Sequence, residues 1–348
     1  MASGLLLLLI GAGLSVRAAV GLAALLQVRA LIIGLTVVAL GSSAPQLSVG
    51  LQAALTASPD IAVGSVVGGH IFNMLVTLGL CALIIPLRVP LQVVRIDIPL
   101  LIGACVLLFV LARNGEISTL DGVILLLGLA ACLLIILRQA SHGARHGHYQ
   151  STEQLSRRPQ AAKHLLMLAA GLTALVSGGH MLVEATVVIA IHLGLSERII
   201  GLTLMAVATS IPALLTSLIA ALRGERDIAV GNVIGSSLFN LLGVLGLTTL
   251  VAPQPLSVSP NSLVYDLPIM LGVTVLCLPL LHSGLRIDRL KGLLLLALYA
   301  LYGLDIIGFS TGSLQAERLE SLMLRFVLPT LTALVLLGML RSWWRQHR

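Results

Sequence analysis

Ionisable side chains are what this chain has least of. Charged residues make up 10% of its 348 positions and only 14 are acidic, whereas ordinary soluble domains carry about 25% charged residues. With 57% hydrophobic residues beside it, that scarcity excludes a soluble enzyme. It also excludes intrinsic disorder, which goes with high charge and low hydrophobicity. Cysteine is sparse as well. Cys81, Cys105, Cys132 and Cys277 lie in apolar runs and form no CxxC or CxxH pair, so neither a disulfide framework nor a zinc site is expected. The 21 Lys and Arg are scattered between apolar runs, whereas nucleic-acid binding needs a basic stripe on a soluble face. No nucleic-acid partner is expected. No positive charge precedes the Leu run in MASGLLLLLIGAGLSVRAAVGLAALL, so this opening segment reads as a span and not as a signal peptide.

What the chain has instead is long apolar runs. A bilayer core takes roughly 20 apolar residues per helix, and runs without turn signals place spans at 3–26, 30–56, 61–86, 93–112, 119–138, 164–192, 197–222, 228–251, 262–282 and 288–308. An eleventh candidate, 321–340, contains Arg325 and Pro329, and its apolar length favours a span over an interfacial helix. The chain is therefore expected to be a polytopic membrane protein with the lipid bilayer as its surroundings. The longest polar segment, 139–163 (QASHGARHGHYQSTEQLSRRPQAAK), divides it near the middle. With that linker cytoplasmic and the spans alternating, 16 Lys and Arg fall on the cytoplasmic side and 3 (Arg113, Arg198, Arg318) outside. The positive-inside rule then puts the N-terminus outside and the C-terminal RSWWRQHR inside. His142, His146 and His148 of the linker read either as metal ligands or, more plainly, as part of a solvated flexible segment.

The chain repeats itself. Sliding it by 167 positions aligns residues 34–80 with 201–247 without a gap, and 24 of the 47 positions are identical, including Pro, Asp, Gly and Asn. Asp97 and Asp266, each before an apolar span, extend the echo. Five spans separate the start of one copy from the start of the next, and five is odd, so the halves enter the membrane in opposite senses. Inverted repeats are a recurrent feature of secondary transporters, whose sites lie near the midplane where paired helices are interrupted.

Each copy has a mid-span proline, Pro45 or Pro212, preceded by Gly41-Ser42-Ser43 or Ala208-Thr209-Ser210. A mid-helix proline frees the carbonyl four residues back, so a helix break with cation-binding carbonyls is expected at each, the alternative being a simple kink. The following span reads GSVVGGHIFN (64–73) or GNVIGSSLFN (231–240). Its glycines allow close helix packing. Asn73 and Asn240 are costly in hydrocarbon unless paired, which leaves interhelical hydrogen bonding and direct ligation both open.

These two copies resemble the alpha-repeats of the cation/calcium exchanger superfamily, the sodium/calcium exchangers, whose motif is approximately G-T-S-x-P-E-L followed by D-x-x-x-G-N-x-x-G-S-N-x-F-N/D. GSSAPQL, Asp60 and GSVVGGHIFN answer to it in the first half, and ATSIPAL, Asp227 and GNVIGSSLFN in the second. The resemblance implies an all-α membrane fold of two inverted five-helix repeats, ten transmembrane helices in all, with cation sites where the second, third, seventh and eighth helices meet. On this frame the first repeat is 1–138, the cytoplasmic linker 139–163, the second repeat 164–308, and 309–348 an extra helix and basic tail. The resemblance further implies a secondary cation antiporter of a bacterial inner membrane, exchanging calcium and sodium by alternating access, with no cofactor beyond the transported cations and no enzymatic activity.

Residue by residue, the resemblance carries substrate binding to the positions of Ala39, Ser42, Ser43, Gln46, Asn73, Ala206, Thr209, Ser210, Ser236 and Asn240, and cation ligation to Ser43, Asn73, Ser210 and Asn240; His70 joins the substrate-binding candidates as an ionisable group within a span. The family's glutamate after each proline is a principal calcium ligand, and here those positions hold Gln46 and Ala213. The acidic alternative at the end of the second motif is Asn240. None of the 14 carboxylates falls among the motif ligands, so the cage is neutral. Calcium takes six to eight oxygens including carboxylates, so weak or absent calcium affinity is expected. His70 stands where the family has Asn; it is read either as a packing histidine or as a group that couples protons to a monovalent cation. A divergent monovalent or proton-coupled exchanger, or a membrane scaffold that no longer transports, are the other readings of the same residues. No HExxH or paired intramembrane Asp supports an enzyme.

Overall fold

With no water in the bilayer to pair backbone groups, each apolar run must satisfy its N–H and C=O groups within itself. The structure, a computed structural model, describes residues 1–55, 59–143, 157–192, 200–311 and 322. Nine helices among the described residues are long and apolar enough to cross a membrane: α1 (Ala2–Leu26), α2 (Ala30–Leu55), α3 (Ile61–Ile84), α4 (Val93–Asn114), α5 (Thr119–Gln139), α6 (Gln160–Thr186), α7 (Thr203–Leu222), α8 (Arg226–Val251) and α9 (Ser262–Leu285). A tenth, α10 (Arg289–Thr311), packs along the second half of α3. The candidate eleventh span, 321–340, and the basic tail lie outside the described residues apart from Leu322.

The 139–163 segment is less of a loop than its polarity suggests. Helix continues from α5 to Gly143 and resumes at Arg157 ahead of α6, because Arg, Gln, Ala and Lys are good helix formers and extend a nucleated helix into water. The three linker histidines have no described side chains.

Burial sorts the helices. All of the most apolar window of α8 is buried, against 22% for α5; α2, α3, α7 and α8 form the centre. Leu120, Leu127 and Leu134 of α5 are exposed, as suits a lipid-facing helix. Two short antiparallel pairs tie the halves together at the helix ends. Leu87–Arg88 (β1) pairs with Arg286–Ile287 (β4), and Glu116–Ile117 (β2) with Leu256–Ser257 (β3). Each half therefore contributes one strand to each pair.

Wide π-turns interrupt the helices in matched positions. In the first half they occupy Gly34–Val38, Asn73–Thr77 and Val93–Asp97, and in the second Ile200–Met205, Phe239–Val244 and Ser262–Asp266. Such turns are rare and often sit at functional sites. The expected helix breaks at Pro45 and Pro212 are not there: both prolines lie inside continuous helix, Ala39–Leu55 and Ala206–Leu222. In the turn before each proline Ser42 donates to the Ala39 carbonyl at 3.1 Å and Thr209 to the Met205 carbonyl at 2.7 Å; the carbonyls that the prolines themselves free, those of Gly41 and Ala208, are different ones. The irregularity has moved to the π-turn that precedes each proline.

α1 and α6 run antiparallel in close contact. A Cβ on Gly4 would lie 3.0 Å from the Gly178 carbonyl oxygen, and one on Gly171 3.0 Å from that of Gly11, so the two backbones approach as only small residues allow.

Candidate functional site

The residues that flank the prolines on α2 and α7 meet the glycine-rich starts of α3 and α8 in a buried, wholly neutral cluster. Ser42, Gln46, Thr209, Asn232 and Ser236 are all at most 2% exposed. Ser42 Oγ donates to Asn232 Oδ1 at 3.0 Å and lies 2.8 Å from Ser236 Oγ. The Asn232 amide group donates in turn to the Ala213 carbonyl at 3.1 Å and to Ser217 Oγ at 2.9 Å. On the opposite side of the repeat, Thr209 donates to Gln46 Oε1, and Gln46 Nε2 donates to Ser65 Oγ at 2.8 Å. The partners of Ser42, Gln46, Thr209 and Asn232 are all hydroxyls, carboxamides or backbone carbonyls.

Most of the residues expected from sequence come together here. The Ala39 carbonyl accepts from Ser42 and, at 3.5 Å, from Ser236; the Ala206 carbonyl accepts from Thr209 at 3.3 Å. Ser43 donates to the Ser236 carbonyl at 3.5 Å. Ser210 Oγ is buried without a partner among the described residues, and a Cβ on Gly69 would lie 3.1 Å from it. Gly69 thus leaves room beside the Ser210 hydroxyl. Pro45 and Pro212, one from each half, both face Gly179 of α6, where a Cβ would stand 2.6 and 3.4 Å from their ring Cγ atoms.

Asn73 and Asn240 sit in the π-turns of α3 and α8 and are buried. Thr77 Oγ1 is 3.5 Å from Asn73 Oδ1, while Asn73 Nδ2 and Asn240 Oδ1 have no partner among the described residues. Turning the Asn73 carboxamide by 180° lets its nitrogen donate to Thr77 and frees its oxygen. Leaving such atoms unpaired in a core costs roughly 1–3 kcal/mol each, so unpaired amides at matched positions of both halves are a reason to look for a bound species.

His70 is not part of the cluster. Neighbouring helix residues point about 100° apart, so while Gly69 faces Ser210, His70 turns toward α4 and α9. There its Nε2 lies 2.7 Å from Thr274 Oγ1 and 3.9 Å from Cys105 Sγ. The structure thus sets it apart from the residues with which the sequence grouped it: His70 is buried and hydrogen-bonded between helices through Nε2, while its Nδ1 has no partner among the described residues. Asn232, Ser65 and Ser217 are the residues that sequence reasoning missed. The signal for the first two was present in the repeat alignment, where Ser65 and Asn232 hold equivalent places beside Gly64 and Gly231. Among the described residues no three His, Cys, Asp or Glu side chains converge as a metal-holding group.

Comparison with known proteins identifies the family and the fold. The family model described as sodium/calcium exchanger protein matches residues 1–138 and 163–308. A putative antiporter, CaxA of Alkalimonas amylolytica, is 35% identical over 304 residues, which is 86% of this chain and 95% of that protein. The sodium/calcium exchanger MaX1 of Methanosarcina acetivorans is 30% identical over 334 residues, covering 86% and 95%. The solved structure of the sodium-calcium exchanger NCX_Mj soaked with 2.5 mM Na+ and 0.1 mM Ca2+ superposes with a TM-score of 0.73 at 29% identity, over 90% of this chain and 97% of the other.

Proposed function

Because this chain belongs to the sodium/calcium exchanger family, we propose that it takes up sodium at the neutral cluster between α2, α3, α7 and α8. The protein is a secondary active cation antiporter of the sodium/calcium exchanger type and an integral membrane protein. The reading goes further in naming the ion and the path. The observation that carries it is the two buried hydrogen-bonded groups of neutral oxygens, each drawn from both halves, Ser42 with Asn232 and Thr209 with Gln46. The cost of desolvating an ion rises with the square of its charge, so a cage without carboxylates suits a monovalent cation far better than calcium. Calcium, the second ion of relatives such as MaX1, is the weak partner here. Alternating access follows if α1 and α6, joined along their glycines, move across the four central helices and expose the cluster to each side in turn.

Orientation belongs to the same proposal. Alternating spans put the β1 and β4 loops on one side and the β2 and β3 loops on the other, which is how the strands pair. Arg88 and Arg286 lie on the first side, which the positive-inside rule makes cytoplasmic. The N-terminus is then outside and the 139–163 linker and C-terminus are cytoplasmic, in a bacterial inner membrane.

Flux of radiolabelled sodium, calcium and rubidium into proteoliposomes, with and without a pH gradient, tests the reading. Sodium uptake driven by an opposing cation gradient, with calcium uptake weak, is the expected result. Robust calcium uptake with no sodium dependence, or no flux of any ion under any gradient, would overturn it.

A further inference from the structure

Arg17 is the only charged residue of α1, and the neutral cluster gives it no role. It is exposed, so its side chain faces away from the protein core. Arg223, on which α7 ends, is exposed as well and donates through Nη1 to the Gly13 carbonyl of α1 at 2.6 Å. In an α-helix that carbonyl also accepts from the backbone N–H four residues on, which is that of Arg17. The two guanidinium groups therefore meet on one turn of α1, and the charge of Arg17 acts on Arg223. Gly13 allows the approach, since a Cβ there would stand 3.3 Å from Arg223 Nη2. Among the described residues neither arginine has an acidic side chain within ion-pair distance. Because Arg223 closes α7, this turn of α1 lies level with a helix end and not at mid-membrane. Leu6, Ile10, Gly13 and Arg17 share one face of α1 by their spacing. Leu6 and Ile10 are exposed on it, and Leu222 is exposed at the end of α7.

We infer that Arg17 and Arg223 together hold the headgroup phosphate of an anionic phospholipid, with an acyl chain lying along Ile10 and Leu6. Two like charges on one turn repel each other, and an anion between them turns that repulsion into attraction. A guanidinium has five N–H donors in a planar fork that matches phosphate oxygens. Arg223 gives one of them to Gly13 and has others to offer. A zwitterionic headgroup brings its own cation to the same place, so a lipid with net negative charge fits better. The apolar stripe beside the arginines favours a lipid over a free anion, which would leave Ile10 and Leu6 unused. A lipid held in this way bridges α1 to the central helix α7. Its effect on the movement of α1 rests on the antiporter reading above; its binding does not.

Titration of short-chain phosphatidylglycerol into the purified full-length protein in neutral detergent tests this, with binding read from the rise in melting temperature. Short-chain phosphatidylcholine and inorganic phosphate are the comparison arms. Phosphatidylglycerol is expected to raise the melting temperature saturably, and the other two are not. Arg17→Gln and Arg223→Gln should each raise the half-saturating concentration by about five-fold, while Arg95→Gln, which removes an exposed arginine of α4, should leave it unchanged. Arg223→Gln also loses the bond to Gly13; where it fails to fold, Arg17→Gln decides alone. Half-saturation in Arg17→Gln equal to that of the unaltered protein overturns the inference, as does an equal loss in Arg95→Gln or an equal response to phosphatidylcholine. A rise produced by inorganic phosphate alone makes the pair a free-anion site and overturns it too. None of these readouts requires transport, so failure of the antiporter reading and failure of the lipid site are distinguishable.

Discussion

Gln46 sits between two hydroxyls, accepting from Thr209 and donating to Ser65. A carboxylate there has the same shape but no proton to give, so Ser65 must turn its own proton away from the Ala62 carbonyl, now 3.0 Å distant, and toward the acid. Without a cation the buried charge is uncompensated, at a cost of about 3–5 kcal/mol. The Gln46→Glu/Ala213→Glu double variant should therefore be destabilised in calcium-free buffer, regain stability as calcium is added, and take up radiolabelled calcium in liposomes. A melting temperature indifferent to calcium would mean that the ligands lie elsewhere. His70 makes the opposite case. Its contacts are Thr274 and Cys105, so His70→Gln should lower thermal stability by about 1–2 kcal/mol and leave the pH profile of flux unchanged. Most of the cluster was legible in sequence because its residues sit at fixed offsets from a proline. Asn232 left a signal in the repeat, where it stands opposite Ser65, but its partners, the Ala213 carbonyl and Ser217, come to it only where α7 and α8 pack.

At the scale of helices, the prolines marked the right segments for the wrong reason. Pro45 and Pro212 do not break their helices; they present two rings to one glycine of α6. With a Cβ at Gly179 placed 2.6 Å from Pro45 Cγ, Gly179→Val cannot pass the prolines without displacing them. If α1 and α6 slide as proposed, this variant should retain sodium binding in detergent while losing flux. Equal loss of both would instead make Gly179 a plain packing position. The π-turns, by contrast, left no mark in the sequence. An extra residue in a turn is decided by how neighbouring helices seat against it and belongs to no residue type, so its repetition in both halves became apparent only in three dimensions.

The whole molecule is two halves that cannot be pulled apart. The duplication was plain from 24 identities in 47 positions, and it invites a picture of two five-helix units side by side. Instead α5 of the first half packs on α8 of the second, and α10 of the second on α3 of the first. The same small-residue contact serves both joints. A Cβ on Gly292 would lie 2.7 Å from the Gly79 carbonyl oxygen, and one on Gly246 3.0 Å from that of Gly122 and 2.8 Å from Leu126 Cγ. Alignment within the chain matches Gly79 with Gly246 but could not show that each packs on a glycine of the other half. Gly103 and Gly272, on α4 and α9, are a control: none of the described residues stands within 4 Å of a Cβ at either. Alanine should therefore act in opposite directions at the two kinds of site. At Gly246 and Gly292 it forces backbones apart, with a loss of about 1–3 kcal/mol. At Gly103 and Gly272 it relieves the entropic cost of glycine in a helix, a gain of about 0.5–1 kcal/mol. Melting temperatures of the four single variants in detergent measure this directly. Uniform stabilisation by alanine would mean that the halves are not held together through these glycines.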